Sequence, residues 1–160
     1  MNRVTKYQVR EVVARISDLE APAGAPPGLV AAQAALLRLQ ASFRGAVLMC
    51  RLGLRFEATV IARLILEQIA WAYAVHGFTE LVFWDVLPTK SISALKTIWP
   101  EVGRLYGQLT DVAHIVPEVS AEYHLLSETE PGVVIGSIAD TRIASFRLLY
   151  LSYVFGIVSV

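Results

Sequence analysis

The segment Tyr106-Gly-Gln-Leu-Thr-Asp-Val-Ala-His114 carries a phenol, a hydroxyl and an imidazole at four-residue steps. Residues four apart on a helix share a face. Tyr106, Thr110 and His114 therefore line one side, with Asp111 three residues before the histidine. An imidazole titrates near neutral pH and can serve as general acid or base. A histidine near a helix end is also a common structural hydrogen-bonding group, which is the plainer reading. Arg63 and Glu67 have the same four-residue spacing. As a surface contact such a pair contributes a few tenths of a kcal/mol. In a central helix it can organise neighbouring helices, or bring a cation and a carboxylate to a reacting group. His114, Tyr106, Thr110, Arg63 and Glu67 are the catalytic candidates. Arg44, Arg51 and Arg55 are the phosphate-binding candidates, because arginines recognise phosphate and the first two lie two turns apart on one face. Their plainer use is a solvated face, or pairing with the acidic part of the chain. Glu57 falls on an apolar helix stripe, where it is either a buried acid or a first-turn residue near the positive end of the helix dipole.

Other chemistry is excluded by what is missing from the sequence. It contains no Gly-rich phosphate loop, no paired-cysteine zinc site, no His-Glu-x-x-His and no nucleophile elbow. A ferritin-like metal bundle needs Glu-x-x-His pairs, and the nearest approach is Asp111-x-x-His114. No metal site and no cofactor is expected. Cys50 is the single cysteine, so no internal disulfide can form. Its apolar neighbours place it in a core, in a chain suited to a reducing cytoplasm.

These residues need helices to hold them. Val9, Val12, Val13, Ile16 and Leu19 recur at helical spacing and predict an N-terminal amphipathic helix within residues 1–20. Residues 21–28 read APAGAPPG, a Pro/Gly linker that lets this helix pack apart from the rest, on a partner subunit for example. From Leu29 to His76 the pattern is helical throughout. One helix of that length would run ~70 Å, too long for one compact domain. Gly53 marks the break, giving a central hairpin over about 29–52 and 55–76, with Gly77 capping the second helix. In that second helix Val60, Ile61, Leu64, Gln68, Trp71, Ala72 and Val75 form the apolar stripe.

Beyond the hairpin, Thr79–Leu87 predicts a short helical turn ended by Pro88. Thr89 or Ser91 caps a short helix reaching Trp99, and Pro100 opens the next. Val102, Leu105, Leu109, Val112 and Val116 carry that helix to Pro117. Glu118–Leu126 is a separate helical piece, 127–132 a loop, Val133–Ile135 a brief strand, and Ile138 to about Val158 a buried final helix. The fold class expected is all-α: a single domain of four to six helices, with 29–160 as the bundle core.

The composition is 55% hydrophobic and 18% charged, against roughly 45–50% and 25% in ordinary domains. More apolar surface than one small core needs points to a second buried face, most simply a homodimer interface. A membrane span is not expected. Val47–Val75 is interrupted by Arg51, Arg55, Glu57, Arg63 and Glu67, and the uncharged run from Leu148 to Val160 is too short. Met1–Glu20 has no apolar signal region, which fits a cytoplasmic protein. Net charge is zero, so there is no global attraction to nucleic acid. The charge is uneven: Arg38–Glu67 holds five arginines and two glutamates, whereas Glu101–Glu130 holds one arginine and six acids. Complementary packing within or between subunits is the expected use. Trp71, Tyr73, Trp84 and Trp99 belong to the core, or else line a ligand cavity.

The run from Leu52 to Glu67, with Gly53, Ala58, Arg63 and Glu67, followed later by Tyr106, Thr110 and His114, resembles a group of bacterial helical proteins of unknown function. Over roughly Ala41 to Pro117 these look distantly like the HEPN superfamily of helical bundles. The resemblance implies four or five helices, often dimeric. In members that cut RNA it implies an Arg placed four to six residues before a His, paired across a dimer cleft and working without metal. Here Arg104 precedes His114 with nine residues between them. Other members serve as scaffolds or antitoxin-like partners. Three functions are thus open: a homodimeric scaffold or regulatory interaction protein, an HEPN-like ribonuclease or RNA-binding protein, and a small-ligand binder.

Overall fold

A computed structural model describes residues 2–18, 23–114, 124–125, 132–133 and 138–159. The described helices are α1 (Asn2–Asp18), α2 (Pro27–Arg51), α3 (Arg55–Val75), α4 (Pro88–Leu95), α5 (Val102–Ala113) and α6 (Ile138–Val158), with one 3-10 turn at Phe83–Asp85. The chain is an all-helical bundle built on the α2–α3 hairpin.

The hairpin turn takes three residues. Gly53 has φ +79°, its N–H donates to Cys50 O at 3.3 Å, and the Leu54 N–H donates to Met49 O at 2.9 Å. This pair of bonds satisfies the last carbonyls of α2 through a left-handed residue, the conformation glycine adopts without Cβ strain. At the other end of the hairpin the two helices nearly touch. The Gly28 N–H donates to Phe78 O at 3.0 Å, and a Cβ on Gly28 would lie 2.0 Å from Val75 O. Only a residue without a side chain fits there.

Helix α3 is central, packed by α2, α4, α5 and α6. Its buried residues are Ala58, Thr59, Ala62, Ile65, Leu66, Ile69, Ala70, Ala72 and Val75. This corrects the phase of the expected stripe, because Val60 and Leu64 are exposed. The helix buries its alanines, since small side chains let helix backbones approach, and leaves two larger apolar residues outside. By length and composition α3 could also cross a membrane, at mean hydropathy 1.3. Its burial among four helices accounts for that apolarity.

Several expectations shift. Pro27 and Gly28 belong to α2 rather than to the linker, because proline suits the first helical turn. Helix α1 does not pack apart: Val9, Val12 and Ile16 are buried in the common core, against α2 and α6. Gln33 Nε2 donates to Ile16 O at 3.0 Å, and Ser152 Oγ donates to Gln8 Oε1 at 2.6 Å, holding α1 to both neighbours. Gly77 follows α3 without a left-handed φ. Pro88 begins a helix instead of only ending a turn, and that helix stops at Leu95 rather than Trp99. Pro100 and Glu101 precede the first residue of α5. In the stretch expected to be helical over Glu118–Leu126, the described residues His124 and Leu125 pair antiparallel with Val133 and Gly132. Val116 and the rest of that stretch lie outside the described residues, as do 134–135 of the brief strand. The final helix runs Ile138–Val158 as expected.

Candidate functional site

Helices α3 and α5 face each other along one edge of the bundle, and the polar residues of both meet there. Arg63 comes from the middle of α3. Its Nε donates to Glu67 Oε1 at 3.1 Å, one turn along the same helix. Its Nη2 donates to Tyr106 Oη at 3.4 Å, and its Nη1 lies 3.2 Å from His114 Nε2. Tyr106 Oη in turn donates to Glu67 Oε1 at 3.1 Å. The guanidinium carbon lies 5.5 Å from the centre of the Tyr106 ring. One guanidinium therefore bridges two residues that are eight apart on α5.

The chemistry fixes proton positions. Arginine only donates, so His114 Nε2 accepts in this contact and the ring proton sits on Nδ1. The Arg63 pKa is raised above its ordinary value, chiefly by the bond to Tyr106. Burial opposes that effect and the Glu67 charge adds to it. Arginine is charged at any accessible pH, so the shift strengthens the network without creating a switch. The Arg63 and Glu67 side chains keep 23% and 21% of their exposure, while His114 is exposed at the C-terminal cap of α5. The site is a semi-buried ion pair with an imidazole at its open edge.

Four of the five catalytic candidates thus meet. Thr110 does not join them: its hydroxyl donates to Tyr106 O at 2.8 Å, within its own helix. Val60 and Leu64, within one turn of Arg63 along α3, are exposed and apolar. Glu57 is exposed in the first turn of α3, where the helix dipole favours a carboxylate.

The phosphate-binding candidates separate. Arg44 and Arg51 line a cleft between α1 and α2, together with Lys6 and Arg10. Arg55 does not line it; its guanidinium carbon lies 4.4 Å from the centre of the Phe56 ring at the start of α3. Lys6 and Arg10 escaped the sequence reading, although their i,i+4 spacing on an amphipathic helix signalled a shared basic face. Of the acids expected to pair with the basic segment, Glu118, Glu122, Glu128 and Glu130 lie outside the described residues; the ion pairs Arg63–Glu67 and Arg104–Glu101 are each local to one helical turn.

The aromatics do not converge on one cavity. Trp71 packs edge-on to Phe83 at 6.0 Å, and Tyr73 Oη lies 3.0 Å from Thr97 Oγ1. Trp99 meets Tyr150 at 5.1 Å, and Trp84 is 76% exposed. Cys50 is buried, and burial pushes its thiol pKa up. Among the described residues no group of histidine, cysteine and carboxylate is placed to hold a metal ion.

Against family models, curated proteins and solved structures, the chain finds no match. The functional reading therefore stands on its own residues.

Proposed function

We propose that this chain is a non-catalytic interaction protein whose working form is a homodimer paired through α6. One observation carries the reading. Ile143, Phe146, Tyr150, Tyr153 and Ile157 are exposed by 41 to 66%, and they recur at steps of three, four, three and four. This is the heptad rhythm of a helix that packs against another helix. The opposite face of α6, with Leu148, Leu151, Val154 and Phe155, is buried in the chain's own core. The helix is thus apolar on two sides, and among the described residues the second side is met only where Tyr150 packs on Trp99.

The area fits a second copy. Five side chains of this size, each about half exposed, present ~500 Å² per chain, or ~1,000 Å² for two copies. That reaches the lower bound of a specific interface. Arg142 lies exposed at one end of the stripe. An antiparallel two-fold pairing sets the two Arg142 side chains ~20 Å or more apart, so it avoids like-charge contact. Size-exclusion chromatography with light scattering tests the proposal. A dimer at micromolar concentration that becomes a folded monomer on Phe146→Glu with Tyr153→Glu is the expected result. A wild-type monomer at ~100 μM refutes it.

A second reading, metal-independent RNA cleavage, is favoured by the 3.2 Å approach of Arg63 to His114. The resemblance places the arginine on the histidine's own helix; here α3 supplies one from 51 residues away. In such a cleavage His114 Nε2 releases Arg63 and takes the proton of the 2′-hydroxyl. That oxygen attacks phosphorus, the 5′-oxygen leaves with a proton, and a guanidinium stabilises the extra negative charge at phosphorus. This reading ranks second because Glu67 already neutralises Arg63, and phosphate recognition needs uncompensated positive charge. RNA degradation in the presence of EDTA, lost in His114→Ala, would reverse the order. Intact RNA at a hundredfold excess of protein would dismiss the reading.

A further inference from the structure

The cleft between α1 and α2 has a volume of about 460 Å³ and an unusual lining. Val9, Phe43 and Val47 are buried and form its floor, and Leu48 stands at its edge. Lys6, Arg10, Arg44 and Arg51 surround that floor, all four exposed, with no acidic side chain among the described lining residues. Lys6 and Arg10 are one turn apart on α1, where like charges repel and weaken the helix. Packing α1 on α2 then brings Arg44 and Arg51 to the same opening. Nothing in the lining relieves this repulsion. An anion seated among the four would do so, and the apolar floor would hold whatever body carries it. The volume lies within the range of small-molecule sites, which combine an apolar wall with a few convergent polar groups.

We propose that this cleft binds a small organic phosphate: the phosphate between Arg44, Arg51, Arg10 and Lys6, and an apolar or aromatic body on Phe43 and Val47. Arginine suits the head group because its planar fork meets phosphate oxygens in pairs. The floor requires more than an inorganic ion. The site is separate from the α6 stripe and from the Arg63 cluster, so it stands or falls independently of both.

Isothermal titration calorimetry on the whole chain tests this with octyl phosphate and adenosine monophosphate as probes. Octanol and adenosine are their uncharged matches, and inorganic phosphate is the head group alone. The expected result is that at least one phosphorylated probe binds ten-fold or more tightly than both its uncharged match and inorganic phosphate. Its affinity falls at least ten-fold in the double variant Arg44→Ala with Arg51→Ala, and is unchanged in Arg38→Ala, which is exposed on the same helix outside the cleft. The replaced side chains are exposed and alanine favours helix, so the double variant keeps its fold; circular dichroism checks it. Preference for octyl phosphate identifies a lipid-like ligand, and preference for the nucleotide a nucleoside phosphate. The proposal is overturned if neither probe outbinds its uncharged match, if inorganic phosphate binds as tightly as both, or if the double variant binds like wild type.

Discussion

Replacing Gly28 with alanine adds one methyl group where the structure has no room. The new Cβ would lie 2.0 Å from Val75 O and 2.8 Å from both the N and the O of Phe78. All three are backbone atoms, which no side-chain rotation can move. Ordinary contact needs more than 3 Å, so the start of α2 must retreat from the end of α3 by over an ångström. Overpacking of this kind typically costs ~1–3 kcal/mol. The retreat also breaks the bond from Gly28 N–H to Phe78 O, worth about 1 kcal/mol, and leaves a half-buried pair unsatisfied. A loss of roughly 3 kcal/mol follows, or a fall in Tm of about 6–12 °C for a chain of this size. The matched control is Gly107→Ala in the middle of α5, where nothing lies within 4 Å of the added Cβ. There alanine should stabilise by ~0.5–1 kcal/mol, because glycine is a poor helix residue. Thermal and urea unfolding followed by circular dichroism read both. If Gly28→Ala unfolds at the same midpoint as wild type, the close approach of the helices is wrong.

Other perturbations probe the rest of the molecule. Tyr106→Phe removes the hydroxyl that accepts from Arg63 and donates to Glu67, and should cost ~1–2 kcal/mol in urea unfolding. Combined with Glu67→Ala it should cost less than the two single losses together, since both break one network; strict additivity would refute the link between α3 and α5. Gly53→Ala forces a Cβ into a left-handed turn and should lose ~1 kcal/mol, with a lower Tm as the readout. The Cys50 thiol, raised by burial above its ordinary 9.0, is protonated in the fold at pH values where the unfolded chain ionises. Its contribution to stability is therefore full below pH 9 and declines above it. The urea midpoint of wild type should fall more between pH 8 and pH 10 than that of Cys50→Ala, and equal falls would contradict this sign.

The hairpin was legible because its signals are local. Gly53 interrupts a long helical pattern, and the left-handed turn it makes needs no information from elsewhere in the chain. The final helix was legible from its apolar sequence, uncharged from Leu148 to Val160, and from the turn at Pro131-Gly132 that precedes it. The face of α3 was misphased because hydropathy weights Val60 and Leu64 above Ala58 and Ala62, whereas close helix packing selects the smaller residues. On α5, spacing alone put Tyr106, Thr110 and His114 on one face. That Arg63 spans Tyr106 and His114 was not legible, because the angle between α3 and α5 is set by core packing on both. Thr110 stands apart from the cluster for a related reason: a helical hydroxyl can satisfy itself on the carbonyl one turn back. The basic cleft was half visible, since α2 showed two of its cations, while the arrival of α1 beside them depended on where a Pro/Gly linker would lead.

The contact between Gln8 and Ser152 joins residues 144 apart in sequence. Helices α2 to α5 meet mostly near neighbours along the chain, so their assembly needs only short loops to close. Seating α1 beside α6 requires two helices more than a hundred residues apart to find each other. Loop-closure entropy rises with the logarithm of loop length, so this last closure costs only a few kcal/mol, yet it must follow the others. During synthesis α1 and α2 emerge well before α6, which completes the cover over α1. A chain built this way carries a strip, Val9, Val12 and Ile16, that α2 alone can cover until α6 is made. That strip is where the nascent chain is most open to aggregation until α6 arrives to shut the bundle.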